Sequence, residues 1–168
     1  PLMDALKARS SRREFAAKPL PRQVLSNLLW AAYGVNRPAS NGRTAPSAHD
    51  WQAVDLFVAL PEGLFRYDAR SHALELVSKT DAREIAGTQD FVGTAPLNLV
   101  MVARMSKMKA SPEDSPADLV NWAAVEAGAV SQNVYLFCAS EGLATVVRAG
   151  VQRPAFAKLA KLAADDVI

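Results

Sequence analysis

The segment Arg9–Arg13 contains the residue types that bind a phosphate group. It reads Arg-Ser-Ser-Arg-Arg and precedes Glu14-Phe15. Guanidinium groups form forked, charge-assisted hydrogen bonds with phosphate oxygens, and serine hydroxyls add further donors. In an extended backbone, Arg9, Ser11 and Arg13 would point one way and Arg12 the other. Short basic runs are common in proteins, so the segment indicates an anion site without identifying the ligand.

Charge is concentrated in the same part of the chain. The net charge of the protein is +2, but residues 1–43 contain eight Lys or Arg and only two Asp or Glu, a net charge of +6. This asymmetry fits an anionic partner, and an ordinary solvated surface is the alternative. Nucleic acid is a poor candidate for that partner, because Phe15 is the only aromatic residue among the cations of residues 7–22.

The other reactive residue types give no support to hydrolysis or metal binding. Cys138 lies in an apolar stretch without a neighbouring cation, which predicts a buried and unreactive thiol. Two histidines, His49 and His72, are too few for a His-rich metal site. Residues 47–50 include Ser, His and Asp, but they are adjacent and lack the G-x-S-x-G motif. Phosphate-binding loops of the G-x-x-x-x-G-K-[ST] and G-x-G-x-x-G types are also missing.

Length and composition exclude three further classes of protein. The chain has 168 residues, of which 50% are hydrophobic and 21% charged, so it is predicted to form one folded domain over residues 1–168. Its apolar runs are shorter than the roughly 18 residues of a membrane helix, and one cysteine cannot form an internal disulfide. Because the first residue is Pro1, we expect a fragment or a processed product. A cytoplasmic location is favoured, and an exported mature protein is the alternative.

Periodicity and turn residues predict a mixture of helices and strands. Residues 35–50 are predicted to be loop, and Leu97–Ala103 a central strand because the run is almost entirely apolar. The helix Pro116–Glu141 is apolar on most sides, which predicts contact with the core and with a second subunit. This order of helices and strands predicts an α+β fold, or a three-layer sandwich with a mixed sheet. The other predicted helices are 2–9, 21–33, 81–86 and 154–163, and the other strands are 53–60, 64–67, 73–77 and 145–147.

Four stretches resemble the FMN-dependent nitroreductase superfamily, and most closely its short dehydrogenase-like branch, related to the azoline-forming (SagB-type) oxidases of peptide maturation. Arg9–Phe15 is similar to the opening R-x-S-x-R/K-x-F, and Pro19-Leu20 with Leu28–Gly34 is similar to P-L…L-L-W-A-A-x-G. Arg43–Gln52 resembles R-T-A-P-S-A and P-S-x-x-N-x-Q. The segments 132–136 and 141–145 together resemble Q-N-x-x-L…G-L-G/A-T. The stretches occur in the family's order and cover most of the chain.

The resemblance implies a three-layer α-β-α sandwich with a mixed, mainly antiparallel central sheet. It also implies a homodimer with two FMN sites at the subunit interface. By the same resemblance, Arg9 and Ser11 would hold the FMN phosphate and ribityl chain, and Ser10 would contribute mainly its backbone. Arg13 would face the pyrimidine edge of the flavin, where a cation stabilises the negative charge that develops on reduction.

The remaining site residues are also implied by the resemblance. Pro46, Ser47 and Ala48 of the other subunit would cover the flavin ring, and Gln52 would supply an amide beside it. Three consecutive residues would lie against the ring with a backbone N–H directed to N5 or O4, namely Gly142, Leu143 and Ala144. Arg148 is a candidate for the phosphate cation that relatives carry in a C-terminal arm, since the chain ends before such an arm.

The implied activity is ping-pong, two-electron transfer from NADH or NADPH through flavin N5 to a nitroaromatic, a quinone or a similar small acceptor. The cofactor carries the chemistry and the protein provides position and electrostatics, so no acid–base constellation is required. A flavin-binding homodimer without turnover of its own is the alternative. Asp50 departs from the family pattern, because it places an anion where Asn is common.

Overall fold

Four antiparallel strands form the central sheet, in the spatial order Ala73–Ser78, Gly63–Asp68, Val54–Leu60 and Asn98–Ala103. The computed structural model describes all residues, Pro1–Ile168. The helices are α1 (Leu2–Ala8), α2 (Arg22–Tyr33), α3 (Pro116–Ser140) and α4 (Arg153–Ala160). The strands are β1 (Val35–Arg37), β2 (Gly42–Arg43), β3 (Val54–Leu60), β4 (Gly63–Asp68), β5 (Ala73–Ser78) and β6 (Asn98–Ala103).

Strand β3 shows why the sheet is covered on both faces. Successive side chains of a strand point to opposite faces. Val54, Leu56 and Val58 pack in a core with α2 and α3, whereas Phe57 and Ala59 pack in a second core with α4. Helices therefore lie above and below the sheet, which confirms the predicted α+β, three-layer class.

Helix α3 begins and ends at the residues that the sequence predicts. Ser115 and Asp118 form a reciprocal capping box at its start, with Pro116 in the first turn. At its end, Gly142 adopts a positive φ of 67° and the Leu143 N–H donates to the Cys138 carbonyl at 2.8 Å. The helices lack any stretch with the length and hydropathy of a membrane span.

In the sheet region, two elements of the structure differ from the sequence prediction. Residues 35–50 are not simply loop, because β1 and β2 pair as a small hairpin and Ala48–Asp50 forms a 3-10 turn. The turn-rich composition around Pro38 marks the tip of that hairpin. The predicted central strand is β6, which lies at the edge of the sheet. Its apolar run arises because both of its faces are covered, not because it has strands on both sides.

Two further predictions are wrong because hydrogen bonds to other groups replace those of the predicted helix and strand. Residues 81–86 contain only the 3-10 turn Glu84–Ala86, since Asp81 bonds the backbone N–H and side chain of Arg83 instead of capping a helix. Residues 145–147 form no strand. Their backbone is bonded elsewhere, with the Arg12 N–H donating to the Thr145 carbonyl at 2.9 Å and the Val147 N–H to the Tyr135 hydroxyl at 3.0 Å.

Candidate functional site

The cationic segment, Arg9–Arg13, follows α1 without regular secondary structure and contacts the C-terminal half of α3 through Ser11 and Arg9. The Ser11 hydroxyl is 2.7 Å from the hydroxyl of Tyr135. The Arg9 guanidinium lies over the Tyr135 ring, 5.2 Å from its centroid. One tyrosine of α3 therefore positions both residues that were predicted to bind the phosphate and ribityl chain.

Hydrogen-bond directions leave the Ser11 proton available. The Tyr135 oxygen already accepts from the Val147 N–H. Tyr135 is buried, so leaving its own O–H unpaired would be costly. If Tyr135 donates to Ser11, the Tyr135 O–H and the Val147 N–H both have partners. The Ser11 O–H then remains free to donate to a ligand.

Two of the three arginines of this segment lack ion-pair and hydrogen-bond partners within the chain. Arg9 and Arg13 are exposed and form neither an ion pair nor a side-chain hydrogen bond with any residue. Arg12 differs, because its Nε donates to the Ser10 hydroxyl at 3.3 Å. The donors of Arg9 and Arg13 are therefore available to an anion.

A large apolar cavity of about 860 Å³ is lined by Tyr135 and Thr145, two residues that this segment contacts, although Arg9–Arg13 themselves do not line it. The three residues predicted to face the flavin, Gly142, Leu143 and Ala144, line it together with Tyr135. Cys138 also lines the cavity, and burial raises the pKa of its thiol to about 11, so the thiol is unreactive as predicted.

Arg148 lines the same cavity and is half-buried. Its guanidinium donates to the Ala86 carbonyl at 3.2 Å and to Asn98 Oδ1 at 2.8 Å. Burial lowers the pKa of Arg148, because the charged form loses hydration there. Neither hydrogen-bond acceptor is charged, so this cation has no counter-ion in the chain.

Of the other predicted residues, Ser47 contacts a buried carboxylate, Glu126, in the middle of α3. Glu126 is only 3% exposed and accepts hydrogen bonds from the Tyr33 hydroxyl, the Ser47 hydroxyl at 2.6 Å and the Val54 N–H at 3.0 Å. We call these four residues the Glu126 network. Burial and the adjacent carboxylate raise the pKa of Tyr33 well above its usual value, so Tyr33 remains a donor.

Gln52 fixes the loop that follows β2. Its side-chain oxygen accepts from Arg43 Nε at 2.9 Å, and its amide nitrogen donates to the Asn41 carbonyl at 2.9 Å. The Gln52 N–H also donates to Ser47 Oγ at 2.8 Å. His49, Asp50 and Gln52 all have positive φ values near 50°, a conformation that costs about 1–3 kcal/mol per non-glycine residue and needs such support.

The loop presents little chemistry of its own. Pro46 is exposed and Ala48 is half-buried. His49 stacks on Trp51, with ring centroids 4.6 Å apart, and makes no hydrogen bond to Ser47 or Asp50. The geometry therefore contains no Ser-His-Asp triad, and no cluster of His, Cys, Asp or Glu suits a metal ion.

The two groups of predicted residues lie far apart in one chain. Ser11 contacts Tyr135, whereas Ser47 contacts Glu126, nine positions earlier in α3. Nine residues correspond to about 13 Å along a helix and to a half-turn around it. The structure thus brings the cationic segment together with Gly142–Ala144 but does not bring either of them to Pro46–Gln52.

Sequence reasoning missed the two residues that organise these groups. Tyr135 falls in the helix that the sequence describes only as apolar on most sides, and Glu126 is not among the candidate residues. A signal for Glu126 was present, because it is the only charged residue between Asp118 and the end of α3. A single carboxylate in an apolar helix must be hydrogen-bonded when it is buried. Tyr135 has no comparable signal, since tyrosine is common in apolar stretches.

Comparisons with known proteins agree with this fold. A model of the nitroreductase family, described as "Nitroreductase family", matches residues 6–168. A Methanocaldococcus jannaschii protein that carries the name nitroreductase MJ1384 is 32% identical over 155 residues, covering 86% of this chain and 76% of the relative. A crystal structure from Ralstonia eutropha JMP134, also named a nitroreductase, is 48% identical with a TM-score of 0.91. It is matched over 99% of this chain and 78% of that chain.

A more distant structure shares the fold alone. The Escherichia coli microcin synthetase McbBCD complex with truncated pro-MccB17 is 22% identical, with a TM-score of 0.75 over 96% of this chain and 67% of that chain. The family match covers nearly the whole sequence and confirms the family predicted from the four motifs. The chain belongs to the nitroreductase family and is an oxidoreductase of the nitroreductase type.

Proposed function

We propose that this protein is an FMN-dependent oxidoreductase that works as a homodimer. It would transfer two electrons from NADH or NADPH to a nitroaromatic, a quinone or a similar small acceptor. The observation that carries the proposal is the pair of unpaired cations, Arg9 and Arg13, beside a serine hydroxyl whose proton is available. This donor set suits a phosphate and a flavin ring that becomes anionic.

The cationic segment would hold the cofactor at one end. Arg9 and Ser11 would bind the phosphate and ribityl chain, with Ser10 contributing its backbone. Arg13 would stabilise negative charge at the pyrimidine edge. Bound FMN would supply hydride chemistry at N5, which no side chain of the protein can supply.

The remaining residues would position the ring and exclude water. Gly142, Leu143 and Ala144 line the cavity and follow the rigid end of α3, so their backbone can lie against the ring. Pro46, Ser47 and Ala48 of the second subunit would cover it. Gln52 and Glu126 would hold that loop in shape, because their hydrogen bonds are made within the loop and to α3.

The surface of α3 supports a dimer. Val125 is 70% exposed and Val120 40% exposed on the side that also carries Ala124 and Gly128. A side chain added at Gly128 would meet no atom within 4 Å, so this side of α3 is uncovered in one chain. A second copy packed on it would bury apolar surface and would form one wall of the 860 Å³ cavity, which Val120, Ala124 and Gly128 also line. It could also bring its Pro46–Gln52 loop to the cationic segment, from which the same chain's loop is separated.

The proposed reaction balances as two half-reactions in one cavity. NAD(P)H gives up a hydride and leaves as NAD(P)+. A nitro acceptor then takes up two electrons and two protons, becomes a nitroso compound and releases water. The second proton comes from solvent. A quinone would take up the same electrons and protons to become a hydroquinone. Use of one cavity by both partners in turn accounts for ping-pong kinetics.

Anaerobic spectroscopy tests this proposal. Protein purified with FMN should show flavin absorption bands, lose them when NADPH is added, and regain them when a nitro compound or quinone follows. Mass measurement in solution should give twice the chain mass. Flavin that binds but is not bleached by either nicotinamide would support the alternative, a homodimer without turnover. A monomer that takes up no FMN would refute both.

A further inference from the structure

The wall of the 860 Å³ cavity carries three cationic side chains and no acidic side chain. The cations are Lys18, Arg148 and Arg153, and most of the other lining residues are apolar. Lys18 and Arg153 are exposed, so water screens their charges, and the half-buried Arg148 contributes most of the positive potential inside the cavity. Such a cavity favours a ligand that is both largely apolar and negatively charged.

Arg148 is the cation that most needs a counter-ion. Arginine has five N–H donors, and the protein uses only two of them, for the Ala86 carbonyl and Asn98 Oδ1. No carboxylate lies within 4.0 Å of this half-buried group. Burying a charge without an opposite charge is unfavourable. An anionic ligand would offset that cost and engage the remaining donors.

The surrounding backbone is shaped around this side chain. A Cβ atom at Gly87 would lie 2.1 Å from Arg148 Nη1, so a larger residue there would displace the guanidinium from this position. The Gln152 N–H donates to the Ile85 carbonyl at 3.1 Å, which joins the segment after Arg148 to the segment before Gly87. The guanidinium is thus fixed before any ligand arrives, which reduces the entropic cost of binding.

Aromatic rings lie next to the guanidinium. The Phe91 ring centroid is 6.0 Å from the Arg148 guanidinium carbon. Phe91 also packs on Phe15, with centroids 5.6 Å apart, and both rings line the cavity. A flat, apolar molecule with an anionic substituent would match these rings and the cation together.

We propose that Arg148 is a specificity determinant that binds a carboxylate on an aromatic electron acceptor. The inference rests on the proposed function, because Arg148 shares its cavity with Gly142–Ala144. The sequence motifs led instead to a role for Arg148 in binding the FMN phosphate. Its fixed, two-sided attachment to Ala86 and Asn98 and its aromatic neighbours favour the acceptor. The two roles differ in which measured constant responds to a substitution.

The test compares two acceptors that differ in charge, 4-nitrobenzoate and methyl 4-nitrobenzoate, in the FMN-loaded enzyme. Ping-pong kinetics give a separate kcat/KM for NADPH and for each acceptor. We expect Arg148→Gln to lower kcat/KM for 4-nitrobenzoate by about tenfold to a hundredfold, the range for a lost charge-assisted hydrogen bond. For the ester, the change should stay within about twofold. The comparison of variant with wild type cancels the different intrinsic reactivities of the acceptors.

Matched variants separate charge from structure. Arg148→Lys should recover part of the preference for the carboxylate. Arg153→Gln, which removes a cation from the same cavity wall, should leave the ratio of the two acceptors near the wild-type value. Raising the salt concentration should lower kcat/KM for 4-nitrobenzoate and not for the ester.

Several results would overturn the assignment. Equal losses for both acceptors, weaker FMN binding, or a lower kcat/KM for NADPH would each assign Arg148 to another role. Equilibrium dialysis of 4-nitrobenzoate against wild type and Arg148→Gln gives a readout independent of turnover. If the wild type neither bleaches with NADPH nor turns over, the proposed function fails. The dialysis result still decides whether Arg148 binds the carboxylate.

Discussion

The cationic segment and the Glu126 network both lie against α3, but they use their polar groups differently. In the Glu126 network, three donors meet one carboxylate that is almost fully buried. In the cationic segment, Arg9 and Arg13 are exposed and form no ion pair or side-chain hydrogen bond within the chain. The donors of the Glu126 network therefore have their acceptor within the chain. The donors of Arg9 and Arg13 gain acceptors only when an anion binds.

The difference shows how one helix can serve both stability and binding. A fully hydrogen-bonded buried network fixes the conformation of the Ser47 loop, because any rearrangement would leave a buried donor or acceptor unpaired. The exposed cations contribute little to folding, so their interaction energy remains available for a ligand. Substitutions in the two regions should therefore affect different measurements, folding in one case and cofactor affinity in the other.

The largest expected effect is on FMN affinity in the double variant Arg9→Ala/Arg13→Ala. Each lost charge-assisted contact should weaken binding by about 1.5–3 kcal/mol, or about 3–6 kcal/mol together. Fluorescence titration of apoprotein with FMN measures this. Arg12→Ala, which removes the same charge from the same segment, is the control and should change affinity much less. A double variant that keeps its FMN through dialysis would show that the assignment is wrong.

The next largest effect is on folding in Glu126→Ala. Removing the carboxylate leaves the Tyr33 hydroxyl and the Val54 N–H without their acceptor in the core. We expect the free energy of unfolding to fall by about 2–5 kcal/mol, measured by urea denaturation. Glu75→Ala removes an exposed ion pair with Arg66 and should cost less than about 1 kcal/mol. If Glu126→Ala does not fold, Tyr33→Phe offers a milder loss of one bond. Equal stability of the two glutamate variants would contradict the structural role of Glu126.

A smaller effect in both measurements is expected for Tyr135→Phe. The variant loses the hydroxyl that bridges Ser11 and the Val147 N–H. Stability should fall by about 0.5–1.5 kcal/mol, and FMN affinity should also fall, because Ser11 loses its alignment while the ring beneath Arg9 is kept. Urea denaturation and FMN titration of one preparation measure both. A loss of stability with unchanged FMN affinity would separate Tyr135 from the site.

The smallest effect concerns alkaline pH and vanishes at neutral pH. Burial raises the pKa of Tyr67 to about 12, and burial with the Glu126 charge raises that of Tyr33 further. Unfolded tyrosine titrates near pH 10. Above that pH the unfolded state loses protons that the folded state retains, so the free energy of unfolding should decrease as pH rises. Urea denaturation between pH 9 and 11 measures the slope. In Tyr33→Phe, the free energy of unfolding should decrease less steeply with pH. Ionisation of all three tyrosines near pH 10 in the folded protein would contradict this prediction.

Sequence patterns predicted the parts of the fold that depend on neighbouring residues. The helix Pro116–Glu141 and the strands 64–67 and 73–77 are specified within a few residues, and all three are confirmed as α3, β4 and β5. The edge position of β6 was not predicted. An apolar strand that is covered on both faces has the same sequence whether or not it has a strand on each side.

The sequence by itself determined the family, the α+β class and the cationic segment, because motifs and charge are properties of residues close together in the chain. Only the tertiary structure decided what each polar group contacts. It paired Ser11 with Tyr135, 124 positions away, and gave Glu126 three donors from α2, the Ser47 loop and β3. It also left Arg148 without a counter-ion. Such contacts depend on how distant elements pack, and no local pattern records that.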